Sequence, residues 1–245
     1  MGICLGVHLH PARRAGDHRI HRRAKERRLN TAAAFFDLDG TLFTKPSSEL
    51  RFAHHLWQQG LLRSPQLMWA LCFYPVWFWR FGLDVGRKNK ALYTGLSVQG
   101  LHTWGEDWVN GHFENLLDVE IAAQVEICRQ SGYQLVLMTG APECLARPIA
   151  QHLRMDDCIA TVLAERDGIY RAAPPLRHPL GKDKLRLAQA WCDERQISLS
   201  QCAAYGDSHQ DRYLLAAVGK AVAVNPDRRM VRLASNQRWQ VLNTG

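Results

Sequence analysis

The run Ala32-Ala33-Ala34-Phe35-Phe36 is wholly apolar, too short for a helix, and ends in two carboxylates one residue apart, Asp37 and Asp39, followed by Gly40 and Thr41. An apolar run of this length closed by Asp-Gly turn chemistry reads as a short buried strand. The pattern recurs twice. Gln134-Leu135-Val136-Leu137-Met138 runs into Thr139-Gly140, and Cys202-Ala203-Ala204-Tyr205 runs into Gly206-Asp207-Ser208, with Asp211 three residues further on. Strand-like runs also occur at 159–163 and 221–224, and helical patterns lie between them at 121–133, 142–153 and about 183–195. Strands alternating with helices predict an α/β fold with an open, mostly parallel sheet. In such sheets ligands bind outside the carboxyl ends of the strands. Three strands ending in reactive residues therefore predict a single crevice.

Between residues 47 and 117 the texture changes to long apolar and aromatic spacings without strand alternation, which reads as several helices inserted into the α/β pattern. The expected organisation is a core of 31–46 plus 118–245, a helical insertion at 47–117 and a separate tail at 1–30. Eight lysines and arginines in the tail oppose only Asp17 and Glu26, so the tail carries six of the eight units of net positive charge. It has no periodicity and reads as a disordered basic segment. The remainder is nearly neutral, so the overall basicity gives no reason to expect nucleic acid as a partner. No secretory apolar stretch precedes the basic residues. The seven scattered cysteines have no disulfide or zinc spacing, which suits a reducing cytoplasm.

Four carboxylates brought to one crevice repel one another, so either their pKa values rise or a cation shares the site. Mg2+ is the economical answer, because it takes hard oxygen ligands and is held by one or two carboxylates together with substrate phosphate. Asp207 and Asp211 are four residues apart, and a helix starting near Ser208 would set them on neighbouring faces near its N-terminus, with Asp37 completing the set. Thr139 supplies a hydroxyl, Gly140 an approachable amide, and a lysine of Gly181-Lys182-Asp183-Lys184 could neutralise a phosphoryl oxygen. Lysine, carboxylates and a metal around one group suit phosphoryl transfer.

The ordered motifs Asp-x-Asp-Gly-Thr, strand-Thr-Gly, a downstream lysine and Gly-Asp-Ser-x-x-Asp, with key residues 102, 45 and 23 positions apart, closely resemble the haloacid dehalogenase superfamily of aspartate-nucleophile phosphatases. The resemblance covers residues 31 to about 230 and is to the phosphoserine-phosphatase-like branch, subfamily IB. It implies a Rossmann-like three-layer core with a helical cap inserted just after the first motif. Carried over, it implies that Asp37 is the nucleophile and Asp39 the general acid and base. It further implies Thr139 as the second-motif hydroxyl and Lys184, rather than Lys182, as the third-motif lysine. Asp207 and Asp211 become Mg2+ ligands, helped by Asp37 and the carbonyl of Asp39, with Thr41 and Gly140 on the substrate side. Two positions depart from the pattern. The substrate-binding glutamate of phosphoserine phosphatases falls here on Pro46, with Glu49 near but out of register, and the asparagine usual before the last aspartate is Gln210.

Arg51, Arg63, Arg80, Arg87 and Lys88 are candidate substrate readers in the insertion, Arg51 and Arg87 foremost. The thirteen uncharged residues 67–79, LMWALCFYPVWFW, are too few for the roughly 20 that span a bilayer and contain Pro75. They read as packing core of the insertion. The alternative is a peripheral membrane contact, made with the basic tail, since aromatic rings beside arginine suit an interface. The expected activity is hydrolysis of a small phosphomonoester in the cytoplasm, with a lipid phosphate at the inner membrane face, phosphotransfer and a non-catalytic binding module as rivals.

Overall fold

The computed structural model describes residues 32–244, so the expectations for the basic tail lie outside it. Six strands form one sheet, β1 (Ala33–Phe36), β2 (Gln134–Pro142), β3 (Asp157–Thr161), β6 (Ala203–Gly206), β7 (Lys220–Val224) and β8 (Gln240–Leu242). Their order is β3-β2-β1-β6-β7-β8, and every pairing is parallel. A two-stranded antiparallel hairpin, β4 (Glu165–Arg166) and β5 (Ile169–Tyr170), stands apart from it. The alternating α/β pattern thus gives the parallel sheet that it predicts.

The sheet is covered on both faces because each strand is apolar on both. Ala34 and Phe36 of β1 join Leu135 and Leu137 of β2 in one core cluster, while Ala33, Phe35, Val136 and Met138 join another. The second face is closed by α7 (Lys182–Glu194), α8 (Arg212–Leu215) and α9 (Arg228–Gln237), through residues such as Trp191, Leu215 and Met230. The first is closed by α1 (Ser48–Gln58), α4 (Val98–Leu116), α5 (Val119–Gln130) and α6 (Glu143–His152). Phe52, Leu56, Trp108 and Phe113 from the inserted segment lie in the same cluster as Phe36 and Leu137. Two of the inserted helices therefore belong to the main core.

The other two project. α2 (Ser64–Phe81) and α3 (Val85–Lys88) form a small cluster of Phe73, Val85 and Ala91, with Trp77, Phe81 and Ala172 packed around it. Only Phe73 of α2 is fully buried. The expectation that 67–79 is packing core is therefore corrected: one face packs, while Met68, Leu71, Val76 and Trp79 point away from the protein. An apolar run too long for one small cluster to cover leaves the surplus outside. A second correction concerns Ser208 to Asp211. No helix starts near Ser208; the segment is a turn closed by the Asp211 amide donating to the Ser208 carbonyl at 2.9 Å, and α8 begins only at Arg212. The Asp211 carboxylate accepts from both the amide and the hydroxyl of Ser208, which competes with a helical path.

Candidate active site

Parallel pairing of β1 with β2 and β6 sets Phe36 opposite Leu137 and Tyr205. The residues after that level on three adjacent strands, Asp37, Thr139 and Asp207, consequently emerge together at the carboxyl edge. Asp37 is held there by its amide, which donates to the Tyr205 carbonyl at 3.0 Å. Gly40 has φ +88°, and a Cβ on it would lie 2.3 Å from Asp207 Oδ2, so this turn admits only glycine if the carboxylate is to keep its place. A Cβ on Gly206 would meet the Asp211 side chain at 2.6 Å, which fixes glycine there too.

Asp37, Asp207 and Asp211 each offer a carboxylate oxygen within 4.8 Å of the others. The buried Lys184 bridges two of them, its Nζ 2.5 Å from Asp37 and from Asp211. Lys45 reaches the third, 2.9 Å from Asp207 Oδ2, from a mostly exposed side chain. Burial pushes the Asp37 carboxyl well up from the ordinary carboxylate range, opposed by Lys184 and reinforced by Asp211 and Asp207. Burial also raises Asp207, against Lys45. For Lys184 burial alone would favour the neutral amine, but Asp211 and Asp37 outweigh it and hold the ammonium form. Three converging carboxylates, of which burial raises the pKa of Asp37 and Asp207, are a suitable oxygen donor set for a hard divalent cation.

The Asp39 carboxylate is not part of this cluster. It turns to the start of α1 and accepts from the Ser48 amide at 2.6 Å. Burial raises its pKa, partly offset by that hydrogen bond. Thr139 is buried, its hydroxyl accepting from the Ala141 amide at 3.0 Å. The Gly140 carbonyl accepts from the Thr161 hydroxyl at 2.7 Å, and Thr161 in turn meets His178 Nδ1 at 2.8 Å. Burial lowers the pKa of His178 to about 3, which keeps the ring neutral. The Thr41 hydroxyl is buried without a hydrogen-bond partner among the described residues. Such an orphaned group beside the carboxylates fits a site shaped for a polar ligand.

Of the two foremost arginines, Arg51 does not face the cleft. Its guanidinium donates to the carbonyls of Pro46 at 3.1 Å and Lys45 at 2.8 Å, pinning the loop that carries Lys45. Arg87 lines a cavity of about 500 Å3 together with Lys88, Lys182, His209, Gln210 and Arg212. With its amide oxygen turned toward Arg87, Gln210 accepts from both terminal guanidinium nitrogens at 3.2 Å, which ties the insertion to the fourth motif. Lys45, His178 and Lys90, which pairs at the foot of α1 with the out-of-register Glu49, lie near the site, and sequence reasoning passed them over. Lys45 alone had a local signal, eight residues after Asp37 in a turn-rich stretch.

A parallel α/β sheet that gathers three carboxylates and a buried lysine at its carboxyl edge suits chemistry on a phosphoryl group. Residues 34–216 match the family model described as haloacid dehalogenase-like hydrolase. The chain belongs to that family and is a hydrolase of it. It is 30% identical over 222 residues to a phosphoserine phosphatase of Mycobacterium tuberculosis, covering 86% of this chain and 70% of that one. A protein of unknown function from Bordetella pertussis Tohama I shares its fold with a TM-score of 0.73 at 24% identity, over 87% of this chain and 98% of the other. A phosphoserine phosphatase solved as a phospho-aspartyl intermediate analogue shares the fold with a TM-score of 0.57 at 13% identity, over 87% and 93%.

Proposed function

We propose that the protein is a Mg2+-dependent phosphomonoester hydrolase working through an aspartyl-phosphate on Asp37. The observation that carries this reading is the buried Asp37 carboxylate, held by Lys184 beside Asp207 and Asp211 at the carboxyl edge of a parallel sheet. An Asp37 oxygen attacks phosphorus and the bond from phosphorus to the ester oxygen breaks, with Asp39 giving its proton to the departing alkoxide. Asp39 then takes a proton from water as that water attacks phosphorus, the bond to Asp37 breaks, and phosphate leaves. The raised pKa of Asp39 suits its first role, since the acid form persists to higher pH. Lys184 orients Asp37 and balances part of the phosphoryl charge, while Thr41, Thr139 and Gly140 offer hydroxyls and an amide to the phosphoryl oxygens.

Mg2+, when bound by Asp37, Asp207 and Asp211 with the Asp39 carbonyl, neutralises phosphoryl charge. The inserted segment 47–117 acts as the cap. Arg87, Lys88, Lys182 and Arg212 around the cavity favour a small phosphoester that carries another anionic group. The kinship to a protein named phosphoserine phosphatase supports a substrate of that kind.

The test is phosphate release from a panel of small phosphoesters with Mg2+ and with chelator, using the full chain and Asp37→Asn. The native chain is expected to label covalently with phosphate on acid quench, and the variant neither to label nor to turn over. Turnover retained in Asp37→Asn would overturn the assigned nucleophile.

A further inference from the structure

α2 is apolar on both sides but packed on only one. Ala70, Phe73, Trp77 and Phe81 recur at the spacing of one helical face and are half-buried or buried. Met68, Leu71, Cys72, Pro75, Val76 and Trp79 recur at i, i+3, i+4, i+7, i+8 and i+11, so they form a second continuous stripe, and every one of them is exposed. Trp79 and, just beyond the helix, Leu83 are each 95% exposed, and Leu71 and Val76 are 65% and 66% exposed. Single exposed apolar residues need no explanation, but a contiguous stripe with aromatic members marks an interaction surface.

The charges around the stripe say what kind of surface it meets. No aspartate or glutamate occurs from residue 51 to 83, with Asp84 the first acid after the helix, whereas Arg63 and Arg80 lie at the helix ends. Arg80 and Lys88 sit over the Phe81 ring at 5.8 and 5.5 Å, which places two cations at the carboxyl end of the helix, beside its packed face. A protein partner would need only an apolar groove. An uninterrupted apolar stripe ending in Trp79, beside the exposed Trp69 and Tyr74, with basic helix ends and no acid within the helix, suits the headgroup boundary of an anionic bilayer. The basic residues 1–30 add sequence-level attraction of the same sign. No helix of the described residues is long and apolar enough to cross a membrane, so the geometry is that of a helix lying on the surface.

We propose that the outer face of α2 docks this protein on anionic membrane surfaces, its apolar stripe entering the headgroup boundary and its flanking cations meeting lipid phosphates. The inference does not depend on the catalytic reading. It is tested by flotation of the full chain with vesicles of phosphatidylcholine alone and of phosphatidylcholine with one quarter phosphatidylglycerol, in low and high salt. The comparison chain is the full-length triple variant Leu71→Gln, Val76→Gln, Trp79→Gln, which keeps helix propensity, the overall charge and the tail. Circular dichroism and the unfolding midpoint, unchanged in the variant, confirm that it is folded.

The native chain is expected to float with the anionic vesicles, less so in high salt, since each cation near the surface is worth about a five-fold gain in partitioning. The triple variant is expected to partition at least about tenfold less, because three large apolar groups no longer enter the boundary. A native chain that stays with the soluble fraction overturns the proposal. So does a variant that floats equally well, which would assign binding to the basic tail alone. A native dimer that the same three substitutions convert to monomer, with no vesicle binding by either chain, would instead assign the stripe to a second copy.

Discussion

Replacing Lys184 by methionine tests the electrostatic design of the site without changing the volume of the side chain much. The lysine is buried, and its ammonium is shared by two carboxylates that are themselves largely or fully buried. Removing one partner of a buried ion pair costs about 3–5 kcal/mol, because the remaining charge is left without compensation. For a chain of this length that corresponds to a fall of about 6–20 °C in the unfolding midpoint. The sign of the pH dependence follows from the direction of the shifts. Asp37 already has its pKa raised by burial, and Lys184 is the main group that opposes the rise, so without Lys184 it is raised further. A group whose folded pKa lies above its unfolded value leaves stability intact below the unfolded value and loses it as pH rises toward the folded one. Lys184 itself stays charged in both states across neutral pH, since its pKa is raised. The deficit of Lys184→Met is therefore expected to be large at pH 8 and to shrink toward pH 5, as Asp37 takes up a proton. Thermal or urea unfolding in chelator at the two pH values measures it. A deficit that is the same at both, or below about 1 kcal/mol at pH 8, would show that the lysine is not what neutralises the pair.

Asp39→Asn removes the proposed acid and should slow alkyl phosphate hydrolysis by about 10²–10⁴-fold, and hydrolysis of an aryl phosphate with a good leaving group far less. The limb of the pH–rate profile at which activity falls as Asp39 deprotonates, set above the ordinary carboxylate range by burial, should vanish with it. Equal losses on both substrates would remove the acid role. Gly40→Ala must place a Cβ 2.3 Å from Asp207 Oδ2 at a φ of +88°; about 1–3 kcal/mol of backbone strain and loss of Mg2+-supported activity are expected, and unaltered Mg2+ dependence would contradict the close approach. Saturating Mg2+ at about 100 times its dissociation constant should raise the stability of the native chain by about 2.7 kcal/mol. An equal rise in Asp207→Asn would place the ion elsewhere.

Five of the six strands of the parallel sheet were legible because each is a short apolar run stopped by turn or polar residues, and three of those stops carry the chemistry. β2 extends further than its apolar run suggests. Pairing with β3 resumes at Pro142 opposite Thr161 after an irregularity, so Thr139 and Gly140 lie within the strand, not after it. The edge strand β8, Gln-Val-Leu, has two of its three residues exposed and is too short a run to read as a strand. The acids and Lys184 could be read from motif order, whereas Lys45, His178 and Lys90 reach the site only through the path of the chain around it. Arg51 illustrates the reverse: a basic residue next to the first motif, committed to carbonyls of its own loop. α2 misled in a third way. Apolar composition predicts burial, but burial also needs a partner surface, and only one face of this helix has one.

The charges at the sheet edge explain why a lysine and a divalent cation both belong to the proposed chemistry. With all three carboxylates ionised, Lys184 and the exposed Lys45 leave the cluster one negative charge in excess. A phosphoester dianion entering this site would face that excess at short range, and Lys45, mostly in solvent, screens it weakly. Protonating Asp37 would relieve the repulsion but would also remove the nucleophile, and burial already pushes its pKa in that direction. A divalent cation relieves the repulsion and lowers the carboxylate pKa values together, so it keeps Asp37 ionised while admitting the phosphoryl group. Lys184 cannot substitute for it, because its single charge is already divided between Asp37 and Asp211.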